Sequence, residues 1–381
     1  LKQVEFLDFE GDISGFMHQL TVYGNFRSAI GSLKANVTMH KDTITNLNSY
    51  SGKILSEDFN IGKLLNKENT LGKAAFDIEL KGLRYQNDRP ESYVKGVISS
   101  LEYNQYNYQN ILLDGQYQPG GFQGKIALND ENGTIEVNGQ FVTKQQTPDF
   151  NLRAIVRNLR PNNLNLTKKY QDTDISLNLT ADFSGHSVDD MKGEINLDSL
   201  SVDAPDNERD YFLQNLNITA GNTDGEKEIR IHSPFMRGTV KGNYSYRSIW
   251  ASIQRVIRQY LPSILPEKAQ TDTPNNNFNF DLYVENSDFA SKVFDIPLTL
   301  KMPATIKGYF NDSLARMGIN AYFPQFSYNG KEYESGNIIC ENPSNELQCR
   351  VRVGTLMKKG AMFNFTLHTR AKNDHLQTTL Y

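Results

Sequence analysis

Short runs of alternating apolar and polar residues recur along this chain of 381 residues. Ile195 and Leu197 form one such pair and Ile229 and Ile231 another, with polar residues between them. Because successive side chains of a strand point to opposite faces of a sheet, this period of two predicts strands with one apolar and one polar face. Glycine, proline and asparagine separate the runs, as turn formers do. The predicted fold class is therefore all-β, with a few short helices.

Three segments of the chain repeat one layout. Each begins with a glycine in an alternating strand and passes a polar turn. Each then reaches an aromatic residue followed by Gln-Asn or Gly-Asn and an aliphatic residue, and ends in a second strand. The segments are Val94–Leu128, Met191–Ile231 and Arg316–Val353. Strand-only repeats of this length predict a solenoid or an elongated sheet whose modules contact mainly their neighbours. The predicted modules are residues 1–90, 91–150, 151–270 and 271–381.

One segment, Ser248–Leu261, breaks the strand pattern with apolar residues at helical spacing. Ser248 is a suitable N-cap and Pro262 a suitable stop, so the segment predicts an amphipathic helix. One possibility is that its apolar stripe docks on the sheet. The alternative is that the helix lies on a membrane surface, since arginines occupy its polar face. We favour docking. The polar run Gln270–Asn279 predicts a linker.

Two hairpins are predicted in some detail. In Gly124–Phe141 the dipeptide Asn132-Gly133 predicts a type I′ turn between two alternating arms. In the second hairpin, Cys340 and Cys349 flank a turn, which places the two sulfurs across from each other as a disulfide candidate. Two reduced, half-buried thiols remain the alternative. A disulfide would favour an oxidising compartment.

Composition narrows the class of protein. The chain has 40 Lys and Arg against 44 Asp and Glu, which gives a formal net charge of −4. The excess of positive charge that is typical of a nucleic-acid-binding domain is therefore absent. Twenty-one Phe and 19 Tyr supply enough apolar surface to bury, which argues against disorder. No run reaches the roughly 18 apolar residues of a membrane helix. The chain begins at Leu1 without a signal-peptide pattern, which favours a piece of a longer protein.

The residue pattern offers little catalytic chemistry. The six His residues lie far apart and form no HExxH-type pair, so no metal site is predicted. A nucleophile elbow, a phosphate-binding loop and a dinucleotide fingerprint are all missing from the sequence. We therefore predict no catalytic residue and no cofactor, and we expect that the protein is not an enzyme.

A sheet with one apolar face must either fold over on itself or leave that face open as a trough. The single predicted amphipathic helix is too short to cover four modules. An open trough predicts a site for an apolar ligand, although every candidate residue has an equally plain interpretation as ordinary core. The candidate lining residues are Ile126, Leu128, Ile135, Val137, Ile195, Leu197, Ile229, Ile231, Val351, Val353, Phe363 and Phe365.

The repeat layout resembles the C-terminal part of the TamB/AsmA-like family of periplasmic bridge-like lipid-transfer proteins. The resemblance covers Val94–Phe141, Phe150–Tyr246 and Phe278–Val353, with weaker similarity in Ile13–Leu83. It depends on the glycine-containing strands, the aromatic-x-Asn-aliphatic step and the Asn-Gly hairpin, not on an invariant catalytic residue. The fold that it implies is a repeating β-groove, or β-taco, in which an elongated sheet curls into a gutter with an apolar lining.

The same resemblance implies a function, partners and a location. Family members are thought to carry phospholipid between the inner and outer membranes of the periplasm. The parent protein would be anchored in the inner membrane and would meet an outer-membrane Omp85/TamA-type barrel protein. The alternative is a scaffold for outer-membrane protein assembly, which would bind a client strand by β-augmentation at a sheet edge. This chain departs from the family in that it shows no anchor and its predicted helix interrupts the strands.

Overall fold

The computed structural model describes residues 4–16, 18–44, 47–84, 91–118, 120–142, 147–186, 189–205, 209–223, 225–264, 275–356 and 361–381. Most of these residues lie in antiparallel strands and only a few in short helices. The all-β prediction is thus confirmed. The chain forms two compact units, Leu1–Asp182 with Leu200–Asn207, and Phe183–Ser199 with Glu208–Tyr381. The four-module division is a different partition and stays a prediction.

The first unit is built on ten strands, each paired with the next along the chain. They are β1 (Leu7–Phe16), β2 (Gln19–Ser28), β3 (Gly31–Lys41), β4 (Asn48–Asn60), β5 (Leu71–Arg84), β6 (Glu91–Tyr103), β7 (Tyr106–Gln118), β8 (Gly121–Asp130), β9 (Gly133–Val142) and β10 (Asp149–Leu159). A one-turn helix, α1 (Ile61–Leu65), lies between β4 and β5. Two strands follow along the chain, β11 (Asp174–Ser184) and β12 (Lys192–Asp203).

The registers of the first unit place many of its apolar side chains on one side of the sheet, which we call the first apolar face. One row on this face crosses from β2 to β10 through directly paired residues: Gly24, Ala35, Ile54, Ile78, Gly96, Leu113, Ile126, Val137 and Ala154. The opposite face carries ion pairs between strands, among them Lys53–Asp77 at 2.8 Å and Lys125–Glu136 at 2.9 Å. Each exposed pair contributes little stability, about 0–1 kcal/mol. Together they favour the one register that keeps charge out of the apolar face.

The second unit contains a similar sheet. Its strands are β13 (Tyr211–Thr223), β14 (Glu226–His232), β15 (Met236–Asn243), β16 (Asn277–Val284), β18 (Ala304–Asn311), β19 (Arg316–Phe323), β22 (Ser335–Glu341), β23 (Leu347–Leu356), β24 (Met362–Lys372) and β25 (His375–Leu380). Three short strands form a separate small sheet: β17 (Leu298–Leu300), β20 (Phe326–Tyr328) and β21 (Lys331–Tyr333). A π-helical turn (Phe289–Val293) precedes β17, and a 3-10 turn (Pro343–Asn345) precedes β23.

The registers of the main sheet define a second apolar face. One row on it runs from β13 to β25 through Ile218, Ile231, Gly238, Leu282, Ile306, Ala321, Ile338, Val351, Leu367 and Leu380. Glycines on the strands make room for rings from the next strand. A Cβ at Gly308, for example, would collide with the ring of Phe280, its direct partner. An aromatic ring laid over a glycine buries both, which compensates for the missing side chain.

The amphipathic segment forms the helix α2 (Tyr246–Arg258), which docks on the second apolar face as favoured above. Val256 is 1% exposed and packs in one cluster with Ile229, Phe278 and Phe310. The predicted bounds 248–261 were wrong at both ends. The helix begins two residues earlier because the Asp189 carboxylate accepts hydrogen bonds from the Ser245 hydroxyl, at 2.9 Å, and from the first backbone N–H of the helix.

The predicted linker is only partly described, since residues 270–274 lie outside the described ranges. The remainder was predicted wrongly: β16 begins at Asn277, and Asn276 is fully buried. The Asn276 amide donates to Ser252 Oγ at 2.9 Å and to Ser248 Oγ at 3.2 Å, and its oxygen accepts from the Ser245 N–H at 2.7 Å. This single side chain therefore fixes the first turns of α2 to the start of β16 in the sheet.

The turn between β8 and β9 also differs from the prediction. Asp130 pairs with Gly133, so the two loop residues are Glu131 and Asn132. Neither of them has a positive φ, whereas Gly133 does, at 126°. A type I′ turn requires positive φ at both central residues, so the turn is not of that type. The Asp130 carboxylate holds it instead, accepting from the Asn132 N–H at 3.0 Å and from the Tyr106 hydroxyl at 2.6 Å.

The role of Asn276 can be tested by Asn276→Ala. The substitution leaves buried donors without partners, which costs about 1–3 kcal/mol. Amide hydrogen exchange across α2 should therefore accelerate about 10- to 100-fold. Asn279→Ala is the matched control, because Asn279 lies exposed on the polar face of the same strand. It should change the exchange rates by no more than about twofold. Equal acceleration in the two variants would contradict the proposed anchoring.

Candidate functional site

The structure places most of the predicted lining residues on the two apolar faces. In the first unit, Ile126 pairs with Val137 and Leu128 with Ile135. On the second face, Val353 pairs directly with Phe365. Ile229, Ile231, Val351 and Phe363 also share that face. Ile195 and Leu197 lie on one side of β12, and Leu197 is 9% exposed.

Central rows of the first apolar face are open to solvent. Ile126 is 41% exposed, and its partners Leu113 and Val137 are half-buried. One end of the face is closed, because Leu164 is fully buried there and its carbonyl accepts a hydrogen bond from the Tyr108 hydroxyl at 2.8 Å. At the other end, ring contacts run from Phe122 to Phe141 to Phe150, with centroids 6.1 and 6.5 Å apart. The first face is thus an apolar surface with one closed end.

The second apolar face is covered along two borders. At one border α2 buries Ile229 to 6% exposure, so this predicted lining residue belongs to the core. At the other border the segment from the π-helical turn to β17 folds over the face. Phe289 stacks on Phe235 at 4.7 Å, and the Ser287 hydroxyl donates to the Leu298 carbonyl at 2.7 Å. Between the two borders the face remains accessible.

Two apolar pockets occupy this accessible part. Pocket A has a volume of 400 Å³. Its lining includes Ile218, Ile231, Met236, Val284, Ile306 and Phe323 from the main sheet, and Phe289, Phe294, Leu298 and Leu300 from the segment that folds over it. Pocket B has a volume of 440 Å³ and is lined by Phe326, Tyr328, Tyr333, Val353, Thr355, Phe363 and Phe365. Four predicted residues, Ile231, Val353, Phe363 and Phe365, therefore line a pocket.

Sequence reasoning missed the residues that cover these pockets. Phe289, Phe294 and Phe326 lie in short elements between the long strands, where no alternation marks a face. The only signal was a cluster of phenylalanines, which is equally typical of a small core. Their position over the sheet depends on contacts with strands far away in sequence.

Cys340 and Cys349 form a disulfide across β22 and β23, with Cα atoms 4.1 Å apart. The bond lies on the second apolar face, where Cys340 also pairs with Ile319 and Cys349 with Thr369. Of the two alternatives left open by the sequence, the structure contains the bonded one. It joins neighbouring strands of the face covalently and adds no charge to it.

Electrostatics around the second face favour neutral groups. Burial, with a smaller contribution from the Asp288 charge, raises the pKa of Tyr211 to about 12. Burial also raises the pKa of Tyr244 to about 12, and the neighbouring Tyr246 and Asp189 add to that shift. Pocket A has Asn286 and Ser287 as the polar residues among its described lining. This arrangement suits an apolar chain, because the described lining of pocket A contains no charged side chain.

The described residues hold neither a metal-binding cluster nor a membrane-spanning helix. They contain no group of three or more His, Cys, Asp and Glu arranged to hold a metal ion. Within the same ranges, no helix has the length and apolarity needed to span a bilayer. Comparison with protein-family models, with curated proteins and with solved structures gives no match for this chain. What the structure defines is an antiparallel all-β protein with accessible apolar sheet faces, and the family resemblance stays a prediction.

Removal of the disulfide should weaken the second unit. In the chain-entropy account, a bond that closes a loop with a sequence separation of 9 contributes about 2–3 kcal/mol. Urea titration of the Cys340→Ala/Cys349→Ala variant should show a loss of that size, and dithiothreitol should reduce the stability of the wild type equally. Modification of two thiols in the unreduced, folded wild type would contradict the bond.

Alkaline pH should destabilise the fold through Tyr244. Its hydroxyl titrates near pH 10 in an unfolded chain and at about 12 when folded, so its contribution is fully present below pH 10. The contribution is lost as the pH rises from 10 to 12, a change of up to about 2–3 kcal/mol. Tyr244→Phe removes this titration. Urea unfolding should therefore depend less steeply on pH in the variant, and equal slopes would refute the assignment.

Proposed function

We propose that this chain is part of a periplasmic lipid-transfer protein of the TamB/AsmA-like kind. In this proposal the apolar faces hold phospholipid acyl chains while the headgroups stay in water. The observation that supports it best is the first apolar face, whose directly paired apolar residues run from strand to strand and are accessible around Ile126, which is 41% exposed. Exposed apolar surfaces of this extent mark ligand or partner sites.

The energetics of such a face suit a mobile lipid. Each methylene removed from water contributes about 0.8 kcal/mol, so a free phospholipid leaves a membrane slowly. Neighbouring strands lie about 4.8 Å apart, and the row from Gly24 to Ala154 contains apolar residues and glycines alone. An acyl chain can therefore exchange apolar contacts on one strand for apolar contacts on the next as it advances.

The proposed location and partners follow from the same family resemblance. The parent protein would lie in the periplasm, anchored in the inner membrane outside this segment. It would reach the outer membrane through an Omp85/TamA-type partner. The Cys340–Cys349 bond supports an oxidising compartment such as the periplasm.

A scaffold that binds client strands is the second candidate, and β1 favours it. All ten residues of Leu7–Phe16 are exposed. In the described residues β1 pairs with β2 along one edge. Its other edge thus presents backbone N–H and C=O groups to an incoming strand. Covering that edge with a disulfide-locked additional strand should abolish client binding and leave lipid loading intact.

Lipid transfer is tested by Ile126→Asp with Val137→Asp, which places two carboxylates on the first apolar face. Loss of apolar contact for only two methylenes costs about 1.6 kcal/mol, so transfer of fluorescent phospholipid between vesicles should slow at least about tenfold. Mass spectrometry should find less phospholipid copurifying with the variant from a Gram-negative periplasm.

The matched control is Gln123→Asp with Asn138→Asp, because both residues lie on the polar face of the same two strands. This control should transfer and copurify lipid as the wild type does. Wild-type protein that is folded but free of lipid, or a double variant that transfers at the normal rate, would reject the proposal and favour the scaffold.

A further inference from the structure

One aromatic ring separates pockets A and B. The ring of Phe326 lies over Gly336, where a Cβ would come within 2.7 Å of ring atom Cε1. Phe326 also stacks on Tyr333 at 5.0 Å and contacts Phe323 at 5.8 Å. Phe323 lines pocket A, whereas Phe326 and Tyr333 line pocket B. The ring therefore extends from β20 of the small sheet to Gly336 on β22 of the main sheet and forms a partition beside residues of both pockets.

The small sheet covers both sides of this partition with a single face. In its register Leu300 pairs with Phe326 and Leu298 with Tyr328. Directly paired residues share a face, so the leucines over pocket A and the aromatic residues over pocket B form one apolar roof. The two pockets therefore share a cover. Their volumes, 400 and 440 Å³, are nearly equal.

The same face of the small sheet ends in a positive charge. Lys331 pairs directly with Tyr328 and is exposed. It has no ion-pair partner among the described residues, in contrast to Lys301, which contacts Glu332. An unpaired ammonium group beside an apolar pocket complements an amphiphile with an anionic headgroup.

We propose that the second unit binds one two-chain anionic phospholipid astride Phe326, with one acyl chain in pocket A, the other in pocket B, and the phosphate near Lys331. This inference depends on the proposed lipid-transfer function and specifies the substrate for one part of the molecule. Two matched apolar pockets under one roof suit two chains joined at one headgroup. A single-chain ligand leaves half of this arrangement unused.

The test fills each pocket separately in the full chain. Ile306→Trp adds bulk to the floor of pocket A, and Val353→Trp does so in pocket B. The matched controls, Thr305→Trp and Arg352→Trp, place the same side chain on the polar face of the same strands. Native mass spectrometry counts the molecules of palmitic acid or of palmitoyl-oleoyl-phosphatidylglycerol bound to delipidated protein. Circular dichroism verifies that each variant is folded.

The expected pattern is specific to a lipid that spans the partition. Each filling variant loses one equivalent of palmitic acid, and the double variant loses two. For phosphatidylglycerol, either variant and the double variant all lose the same single equivalent, while the controls lose none. Lys331→Glu weakens phosphatidylglycerol binding roughly three- to tenfold.

Other results overturn the inference in distinguishable ways. If a filling variant keeps its full complement of phosphatidylglycerol, the lipid does not span the two pockets. If the double variant loses twice as much as either single variant, each pocket holds its own lipid. In both cases lipid transfer along the faces still stands. A wild-type protein that binds neither probe rejects the inference and the proposed function together.

Discussion

Antiparallel pairing in a constant register is the constraint on which the rest of this structure depends. Each strand alternates apolar and polar side chains. Direct pairing places apolar residues beside apolar residues, and polar beside polar, from one strand to the next. A slip of one residue would bring Lys53, Lys95 and Lys125 onto the first apolar face and move their apolar neighbours into water. The ion pairs on the polar face therefore contribute more to the choice of register than to stability.

The two units treat their apolar faces differently. The second unit covers part of its face with α2, which is fixed by a buried polar network at Asn276 and by the ion pair of Arg255 with Asp312 at 3.1 Å. A buried amide with all its partners specifies one docking position, whereas an apolar stripe alone would tolerate sliding. Among the described residues of the first unit, the loop around Leu164 closes one end of its face. Around Ile126 that face is accessible.

Much of the fold and part of the site could be predicted from the sequence, because period-two alternation is a local property. It assigned Ile126, Val137 and Val353 to apolar faces that the registers confirm. Two of the failures involve partners distant in sequence. The start of α2 is set by Asp189, and the buried position of Asn276 depends on serines of that helix. No local pattern encodes either contact.

In the candidate site too, local alternation forms the apolar rows, whereas contacts distant in sequence form the cover over pockets A and B. The two parts would hold a lipid with different strength. Rows of directly paired apolar residues offer an acyl chain apolar contacts on every strand, which favours movement. Pockets A and B break that equivalence, because the small sheet and Phe326 add apolar contacts from a second side. At about 25 cal/mol for each Å² of apolar surface covered, a roof stabilises a bound chain considerably more than an open floor does. A lipid would therefore dwell at the roofed part of the second unit and move readily along the open face of the first. The same alternating pattern would then hold a lipid where the small sheet covers the face, and would let it move where the face is open.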